Sequence, residues 1–247
     1  MADVGELIRS LDDLLDPAAF DDMGPNGLQV PGFTQIDRVV TGVTAQRALF
    51  ERAVQEQAQL VLVHHGLFWN FAPVGLTPLL AERLRPLFRN DIALAAYHLP
   101  LDAHPEVGNN ALLAQALGAG GHVAFAGIGR GATFAEPLRA AELFSRVAGV
   151  TGREPLVFDS GPPEVRRLAI VSGGAAGRLD QAVAEGYDAF LTGEPKENVM
   201  ADAREAGIHF IAAGHYATET FGVRRLGEWL AERFGVEHVW IDLPNPV

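Results

Sequence analysis

Apolar residues recur with two different periods along this chain, and their alternation predicts its elements. Residues 4–15 place apolar side chains at helical spacing and Pro17 ends the pattern, which predicts a first helix. Three short apolar runs are bounded by turn residues, which predicts buried strands at residues 36–44, 59–63 and 91–98. Helical patterns separate these strands. The alternation is typical of an α/β fold in which helices flank mostly parallel sheets.

The second half of the chain begins with a change of composition. Residues 120–137 are rich in glycine and contain only short strand patterns, after which strands and helices alternate again up to residue 242. We therefore predict two α/β units. The boundaries that we assign give one domain of residues 1–124 and 194–247, with a second domain of residues 125–193 inserted into it.

Two adjacent histidines raise the first question of chemistry. His64 and His65 follow an apolar strand pattern and precede Gly66. Neighbouring side chains of an extended strand point to opposite faces, so the pair reaches one site only if the chain turns there, which Gly66 permits. Two interpretations carry equal weight: a strand that ends in two solvated imidazoles, or a pair of metal ligands.

Other ligand-type residues also follow a predicted strand. Asp102 comes after the strand at 91–98, but taken alone it is better explained as an Asx turn that leads into a helix. His98 and His104 are weaker candidates still, because a histidine at a strand end often only bonds a backbone carbonyl.

Two further groups of ligand-type residues lie in the later part of the chain. Residues 217–235 have the pattern of a helix, and His215 and Glu219 are four residues apart near its start, so they would share a face of its first turn. Helix capping by a glutamate predicts the same pattern, and the His-Glu-x-x-His order of zincin proteases is absent. Glu194 ends another strand, where a helix cap is the favoured interpretation. Residues 172–177 lack the Gly-Lys-Ser/Thr end of a P-loop and are interpreted as a turn.

The candidate residues support a metal site more strongly as a group than singly, because the carboxyl ends of parallel strands meet at one edge of a sheet. The candidate ligands are three imidazoles and two carboxylates: His64, His65, Asp102, His215 and Glu219. A catalytic zinc uses about three protein ligands, whereas five suit two ions if Glu219 binds one with each oxygen. The chain has no cysteine, so sulfur ligation is excluded. Mixed nitrogen and oxygen ligation leaves zinc, iron, manganese, nickel and cobalt open.

Composition narrows the class of partner. The 247 residues carry a formal net charge of −12, which argues against nucleic acid as the main partner, because duplex binding generally needs a basic surface. No apolar run approaches the about 18 residues of a membrane span, and the acidic, amphipathic N-terminus does not resemble a secretory signal. We expect a cytoplasmic protein with no membrane partner.

Several motifs occur in an order that resembles one known family. They are LVLVHHGLFW, YHLPLDAHPEVGNN, TGE and AAGHYATETFGVRRLGEWL, with PNGLQV near the start and IDLPNP near the end. This set is similar to the Nif-three-like dinuclear metal family, whose bacterial members are often labelled GTP cyclohydrolase I type 2 homologues. The resemblance covers nearly the whole chain. It implies two interlocked α/β units that assemble into a ring-shaped hexamer.

The resemblance also implies roles for particular residues. Two divalent ions per chain would be held in the domain of residues 1–124 and 194–247, by the residues that match the family's ligands, with Glu219 as the bridge. Those residues are all intact here: His64, His65, Asp102, His215 and Glu219. His98 and Glu194 match positions near the family's site, so we expect them to support the ligands or to transfer protons in catalysis.

The function that the resemblance implies is that of a metal-dependent hydrolase, in which a metal-bound hydroxide attacks a nucleotide or another small molecule. For GTP, the attack would fall on C8 and His98 would relay a proton. Nothing in the sequence indicates a guanine pocket, and phosphoester or amide hydrolysis suits the same ions. The alternative is a non-catalytic ring that binds metal or a regulatory partner.

Overall fold

A computed structural model describes residues 1–73 and 75–247 of the chain. Within those residues, the strands are β1 Ala2–Asp3, β2 Gly27–Val30, β3 Gln35–Ile36, β4 Arg38–Thr44, β5 Leu60–His65, β6 Ala93–Ala96, β7 Gly120–Phe125, β8 Gly129–Arg139, β9 Leu156–Phe158, β10 Glu164–Val171, β11 Ala189–Thr192, β12 His209–Ala212 and β13 Glu237–Trp240. The α-helices are α1 Val4–Leu15, α2 Arg47–Gln55, α3 Pro78–Arg89, α4 Leu99–Ala103, α5 Asn109–Ala116, α6 Ala140–Thr151, α7 Leu179–Ala184, α8 Val199–Ala206, α9 His215–Thr218 and α10 Thr220–Phe234. The predicted α/β fold class is confirmed.

The chain forms two compact units whose boundaries differ from the predicted ones. The first unit comprises Met1–Leu101 and Gly222–Leu243, and the second comprises Asp102–Phe221 and Pro244–Val247. The second unit thus extends beyond the predicted insertion of residues 125–193 at both ends. It does so because the apolar side chains of α5 pack into the core of the second unit, and because β12 pairs with β11.

The first unit is organised around a sheet of order β13-β4-β5-β6-β2. Strands β13, β4, β5 and β6 are parallel, and β2 pairs antiparallel with β6. The strand β5 is buried along its length except at His65, as expected for a parallel strand covered on both faces. Because the strands are parallel and in register, Thr44 lies opposite His65 and Val63 lies opposite Ala96. The ends of β4, β5 and β6 therefore share one edge.

The second unit contains a mixed sheet of order β7-β8-β10-β11-β12-β9. Its centre, β10 to β12, is parallel, whereas β7, β8 and β9 pair antiparallel with their neighbours. The predicted parallel arrangement thus describes the first sheet and only the centre of the second. The glycine-rich stretch that begins the second half forms the antiparallel hairpin β7–β8.

Helix boundaries follow local capping in several places. The Asp3 side chain accepts the backbone N–H of Glu6 at 3.1 Å and so caps α1. The helix predicted over residues 217–235 is instead split at Glu219, between α9 and α10. In the described part of the chain, none of the helices combines the length and the apolar character that crossing a bilayer requires.

Candidate metal centre

Three imidazoles meet at the strand edge of the first unit, and we call His64, His65 and His98 the histidine cluster. The ring centroids of His64 and His65 are 4.7 Å apart, and those of His64 and His98 are 5.1 Å apart. One ring nitrogen from each of the three lies within 4.8 Å of the others. The neighbouring strands β5 and β6 produce this arrangement, because His64 and His65 end β5 and His98 follows β6 by two residues.

The tautomer of His64 is fixed by a backbone carbonyl. Its side chain is fully buried, and its Nδ1 lies 2.9 Å from the carbonyl oxygen of Tyr97. A carbonyl only accepts hydrogen bonds, so Nδ1 carries the proton and Nε2 carries the lone pair. Tyr97 is itself held, because its hydroxyl donates to the Asp12 carboxylate at 2.6 Å. Metal-binding histidines are commonly oriented in this way by a partner on the other ring nitrogen.

A buried carboxylate orients His98. The Asp22 side chain is 3% exposed, and its Oδ1 lies 2.7 Å from Nδ1 of His98. Its Oδ2 accepts the backbone N–H of Leu99 and the side-chain amide of Asn26, both at 2.9 Å. Burial raises the pKa of Asp22, but the hydrogen bonds from His98 and Asn26 outweigh burial and lower the pKa to about 2. Sequence reasoning missed Asp22, because it lies far from His98 along the chain.

The turn after the two histidines depends on close packing. The Gln29 side chain accepts the backbone N–H of Leu67 at 2.8 Å and donates to the carbonyl of Pro25 at 2.7 Å. A Cβ on Gly66 would lie 2.3 Å from the Gln29 amide nitrogen. Gly66 does not have a positive φ, so its missing side chain makes room for the Gln29 amide and does not serve an unusual backbone conformation.

A second group of side chains gathers in the other unit, and we call Asp102, Glu194, His215 and Glu219 the carboxylate cluster. Strands β10, β11 and β12 are parallel and in register, so their ends are aligned. Glu194 lies in the loop that follows β11, and the short loop after β12 leads to His215, the first residue of α9. A Cβ on Gly193 would lie 2.6 Å from the Cα of His215, so these loops approach closely only because glycine is present.

His215 lies between two carboxylates. Its Nδ1 bonds Oε1 of Glu194, and its Nε2 lies 3.2 Å from Oε2 of Glu219. Burial lowers the pKa of His215, but the hydrogen bonds and charges of Glu219 and Glu194 outweigh burial and raise the pKa to about 9. The capping interpretation of Glu194 is wrong, since α8 begins after Asn198.

Asp102 is buried and held by hydrogen bonds on one oxygen. It lies within α4 rather than in an Asx turn, and it is 3% exposed. Its Oδ1 accepts the Asn109 amide at 2.8 Å and the Ser172 hydroxyl at 3.1 Å. Asp102 and Glu219 each place a carboxylate oxygen within 4.8 Å of the other. Asp102 therefore belongs with His215 and Glu219 in the second unit.

Three supporting residues were not identified from the sequence. Asn109 and Ser172 bond Asp102, and the Asn110 side chain donates to the Asp102 carbonyl and accepts the N–H of Ser172 at 2.7 Å. The sequence did contain a signal: two adjacent asparagines begin a helix in which Gln115 is the one other polar residue. The segment 172–177 is more than a turn, because a Cβ on Gly173 would lie 2.3 Å from Oε1 of Glu219.

His104 has a local structural role, in agreement with its ranking as a weaker candidate ligand. Its Nδ1 accepts the backbone N–H groups of Glu106 and Val107, each at 3.1 Å. A nitrogen that already accepts two backbone donors is a poor metal ligand. The candidates thus fall into a histidine cluster in one unit and a carboxylate cluster in the other.

Comparison with known proteins agrees with the family resemblance. The family model for Duf34/NIF3 (NGG1p interacting factor 3) matches residues 2–246. A Pseudomonas aeruginosa protein named GTP cyclohydrolase 1 type 2 homolog is 48% identical over 248 residues, covering 97% of each chain. A solved structure of the protein ybgI, described as of unknown function, has a TM-score of 0.95 at 43% identity and covers 99% of this chain and 100% of its own. The structure of TTHA1606 from Thermus thermophilus has a TM-score of 0.93 at 40% identity, with coverage of 99% and 100%.

Proposed function

The chain belongs to the DUF34/NIF3 family, and we propose that it is a hydrolase that depends on two divalent metal ions. The ligands in this proposal are His64, His65, Asp102, His215 and Glu219. Zinc, iron, manganese, nickel and cobalt all suit such a set of nitrogen and oxygen donors. When bound, the ions would lower the pKa of a coordinated water and polarise the bond to be cleaved.

The observation that carries the proposal is the fixed tautomer of His64. A buried imidazole whose Nδ1 donates to the carbonyl of Tyr97 presents the lone pair of Nε2, which is the form that ligates a metal. In the second unit, Asp102 is held in a similar way by Asn109 and Ser172 on one oxygen. Each cluster thus has its own hydrogen-bond partners, which we call outer partners, and partners of this kind fix the orientation of metal ligands.

His98 and Glu194 have separate roles in this proposal. Asp22 holds the proton on Nδ1 of His98, so Nε2 of His98 can accept a proton from a reacting group and return it. Glu194 bonds Nδ1 of His215 and thereby fixes the orientation of that ring. Glu194 is therefore a positioning residue, and His98 is the candidate for proton transfer.

Elemental analysis of the purified protein tests metal binding. We expect about two ions per chain in the wild type and a clear loss in Glu219→Gln and His65→Ala. His122→Ala is a matched control, because His122 is an exposed histidine outside both clusters. A wild-type protein without bound metal, or variants that keep the wild-type content, would contradict the assignment of ligands.

Turnover needs its own test. The name of the relatives makes GTP the first substrate to incubate with the metal-loaded protein, with a formamidopyrimidine or dihydroneopterin product as the readout. His98→Ala should reduce the rate while the metal content stays constant. If two ions are bound and neither GTP nor phosphoester and amide substrates react, the non-catalytic alternative is favoured.

Assembly into a hexamer belongs to the same proposal and rests on the family resemblance. Light scattering of the purified protein should give about six times the mass of one chain. A monomer or dimer at micromolar concentration would contradict it.

A further inference from the structure

The glycine-rich hairpin of the second unit contains a buried arginine. Arg130 is the second residue of β8 and is 9% exposed. Side chains alternate between the two faces of a strand, so Arg130 shares a face with Ala132 and Phe134, which pack into the apolar core of the second unit. Ile170, which lies opposite Arg130 on β10, belongs to the same core. The alternation therefore places a guanidinium where an apolar side chain is expected.

The glycines on either side of Arg130 fix the course of its strand. A Cβ on Gly129 would lie 2.6 Å from Cγ2 of Val171, and a Cβ on Gly131 would lie 2.7 Å from Cζ of Tyr187. Neither position has room for a side chain, so β8 packs closely against its neighbours on both sides of Arg130. The position of the arginine backbone is thus determined by the run Gly-Arg-Gly.

The guanidinium of Arg130 has few partners for a buried charge. It donates to the carbonyl of Ala103, and none of the carboxylates that the structure describes forms an ion pair with it. Its Nε is also buried and has no hydrogen-bond partner within residues 1–73 and 75–247. Burying a cation costs free energy, and a single carbonyl offsets only part of that cost. The stability of the fold therefore does not explain this charge.

The bonds made by Arg130 and Asn110 converge on the backbone at Asp102. Arg130 holds the carbonyl of Ala103, the residue that follows Asp102. The side-chain amide of Asn110 donates to the carbonyl of Asp102 at 3.2 Å and to the carbonyl of Ile128, in the turn of the hairpin, at 3.0 Å. Two successive carbonyls at the end of α4 are thereby tied to the hairpin β7–β8 or to the helix α5 beside it.

We propose that Arg130 is a positioning residue for Asp102, because it holds the carbonyl of Ala103 and so fixes the backbone from which the Asp102 carboxylate projects. The inference rests on the proposed function, in which Asp102 is a metal ligand. Asn109 and Ser172 orient the carboxylate itself, and Arg130 fixes the backbone that carries it. The guanidinium then lowers the stability of the fold while it holds a ligand in place.

Arg130→Met separates these two effects of the guanidinium. Methionine fills much of the same apolar space and cannot donate to the carbonyl of Ala103. We expect metal affinity, measured by competition with a chelator, to fall about tenfold. The denaturation midpoint of the metal-free protein should not fall, because a buried cation without a carboxylate partner is removed. Arg130→Lys keeps a donor and should recover part of the affinity.

Arg146→Met is the matched control. Nη1 of Arg146 donates to the carbonyl of Leu117 at 3.0 Å, so it makes the same kind of bond at the end of α5 that lies away from Asn109. Its loss should leave metal affinity unchanged. If Arg130→Met fails to fold, Arg130→Gln decides, because the shorter amide also leaves the Ala103 carbonyl without its donor. Wild-type metal affinity in the folded variant, with or without a lower midpoint, overturns the proposal.

Hydrogen exchange in the metal-free protein distinguishes failure of this inference from failure of the proposed function. Residues 102–108 should exchange faster in Arg130→Met than in the wild type, because the end of α4 is released. Two ions per chain in the wild type, with unchanged affinity and exchange in the variant, would remove the role of Arg130 and leave the metal-dependent function intact. A wild type without metal, in which the variant still exchanges faster, would remove the metal function and leave Arg130 as the residue that holds Asp102.

Discussion

The histidine cluster and the carboxylate cluster both lie where parallel strands end, yet they are built differently. In the first unit, His64 and His65 are the last residues of a strand, so the ladder of β4, β5 and β6 sets their positions. In the second unit, Glu194 lies on the loop after β11 and His215 begins α9 after the next loop, and these two loops approach each other only because Gly193 has no side chain. One cluster is therefore fixed by backbone pairing and the other by close packing of glycines.

The hydrogen-bond partners that orient the side chains also differ between the two clusters. In the first unit, one backbone carbonyl orients His64 and one buried carboxylate orients His98. Side chains orient the groups of the second unit, with Glu194 on His215 and Ser172 on Asp102. The difference teaches that paired strand ends set most of the positions in the first cluster, with Asp22 and Gly66 in support, whereas the second cluster depends mainly on glycines and polar side chains in its loops. Substitutions should reveal this contrast.

The largest expected effect is that of Gly193→Ala. The new Cβ would meet the Cα of His215 at 2.6 Å and the carbonyl oxygen of Gly173 at 2.7 Å, and backbone atoms cannot move aside cheaply. We expect the free energy of unfolding to fall by about 3 kcal/mol, measured by chemical denaturation. Gly149→Ala is the control, because nothing lies within 4 Å of its new Cβ in α6, and helix propensity there favours alanine. Equal stability of the two variants would show that the loops tolerate a side chain.

The two adjacent histidines should respond unequally to alanine. His64→Ala removes a fully buried ring and leaves the Tyr97 carbonyl without its donor, so we expect a loss of about 2 to 3 kcal/mol in the free energy of unfolding. His65→Ala, at the half-buried end of β5, should cost under about 1 kcal/mol. Both variants should lose metal. Collapse of the circular dichroism spectrum in His65→Ala would instead make His65 a structural residue.

The loss of unfolding free energy caused by Asp22→Asn should depend on pH. The pKa of Asp22 is lowered from 3.8 to about 2. The stability that the ionised carboxylate contributes is therefore fully present above about pH 4 and is lost as the pH falls towards 2. The shift corresponds to about 2 kcal/mol. The difference in unfolding free energy between wild type and variant should be constant from about pH 5 to about pH 7 and shrink in acid. A difference that grows in acid would contradict this sign.

The smallest expected effect is that of Ser172→Ala. The hydroxyl donates one hydrogen bond to Asp102, so its removal should cost about 1 kcal/mol in unfolding free energy. Metal affinity should fall about tenfold, measured by competition with a chelator, because an outer partner of a ligand is lost. Ser145→Ala, on the surface of α6, provides the matched control. Unchanged affinity would show that the Ser172 hydroxyl is not needed to orient Asp102.

The elements of the fold were largely predictable because they depend on local periodicity. The first helix was predicted to end just before Pro17, within one residue of the observed Val4–Leu15, and the strand run at 59–63 was off by one or two residues. The predicted helix over 217–235 was wrong at Glu219, where two helices meet. The domain boundaries could not be read from the chain, because α5 joins the second unit through a tertiary contact with a core formed later in the sequence.

The candidate site was predictable only in part. Residue type and position at strand ends identified His64, His65, Asp102, His215 and Glu219 as candidates. Asp22, which orients His98, was not identified, nor were Asn109 and Ser172, which bond Asp102. Such partners lie up to 76 residues away along the chain and follow no periodic pattern. The role assigned to Gly66 was also incomplete, since its missing side chain lets the Gln29 amide pack against the turn.

The sequence by itself determined the order of strands and helices, the absence of sulfur ligands and the residue types available for a metal, because composition and periodicity are properties of neighbouring positions. Tertiary structure alone decided which ring nitrogen of His64 carries a proton, which carboxylate orients His98, and where a side chain has no room. Those features depend on hydrogen bonds and contacts between residues that are distant along the chain, and only folding brings them within reach.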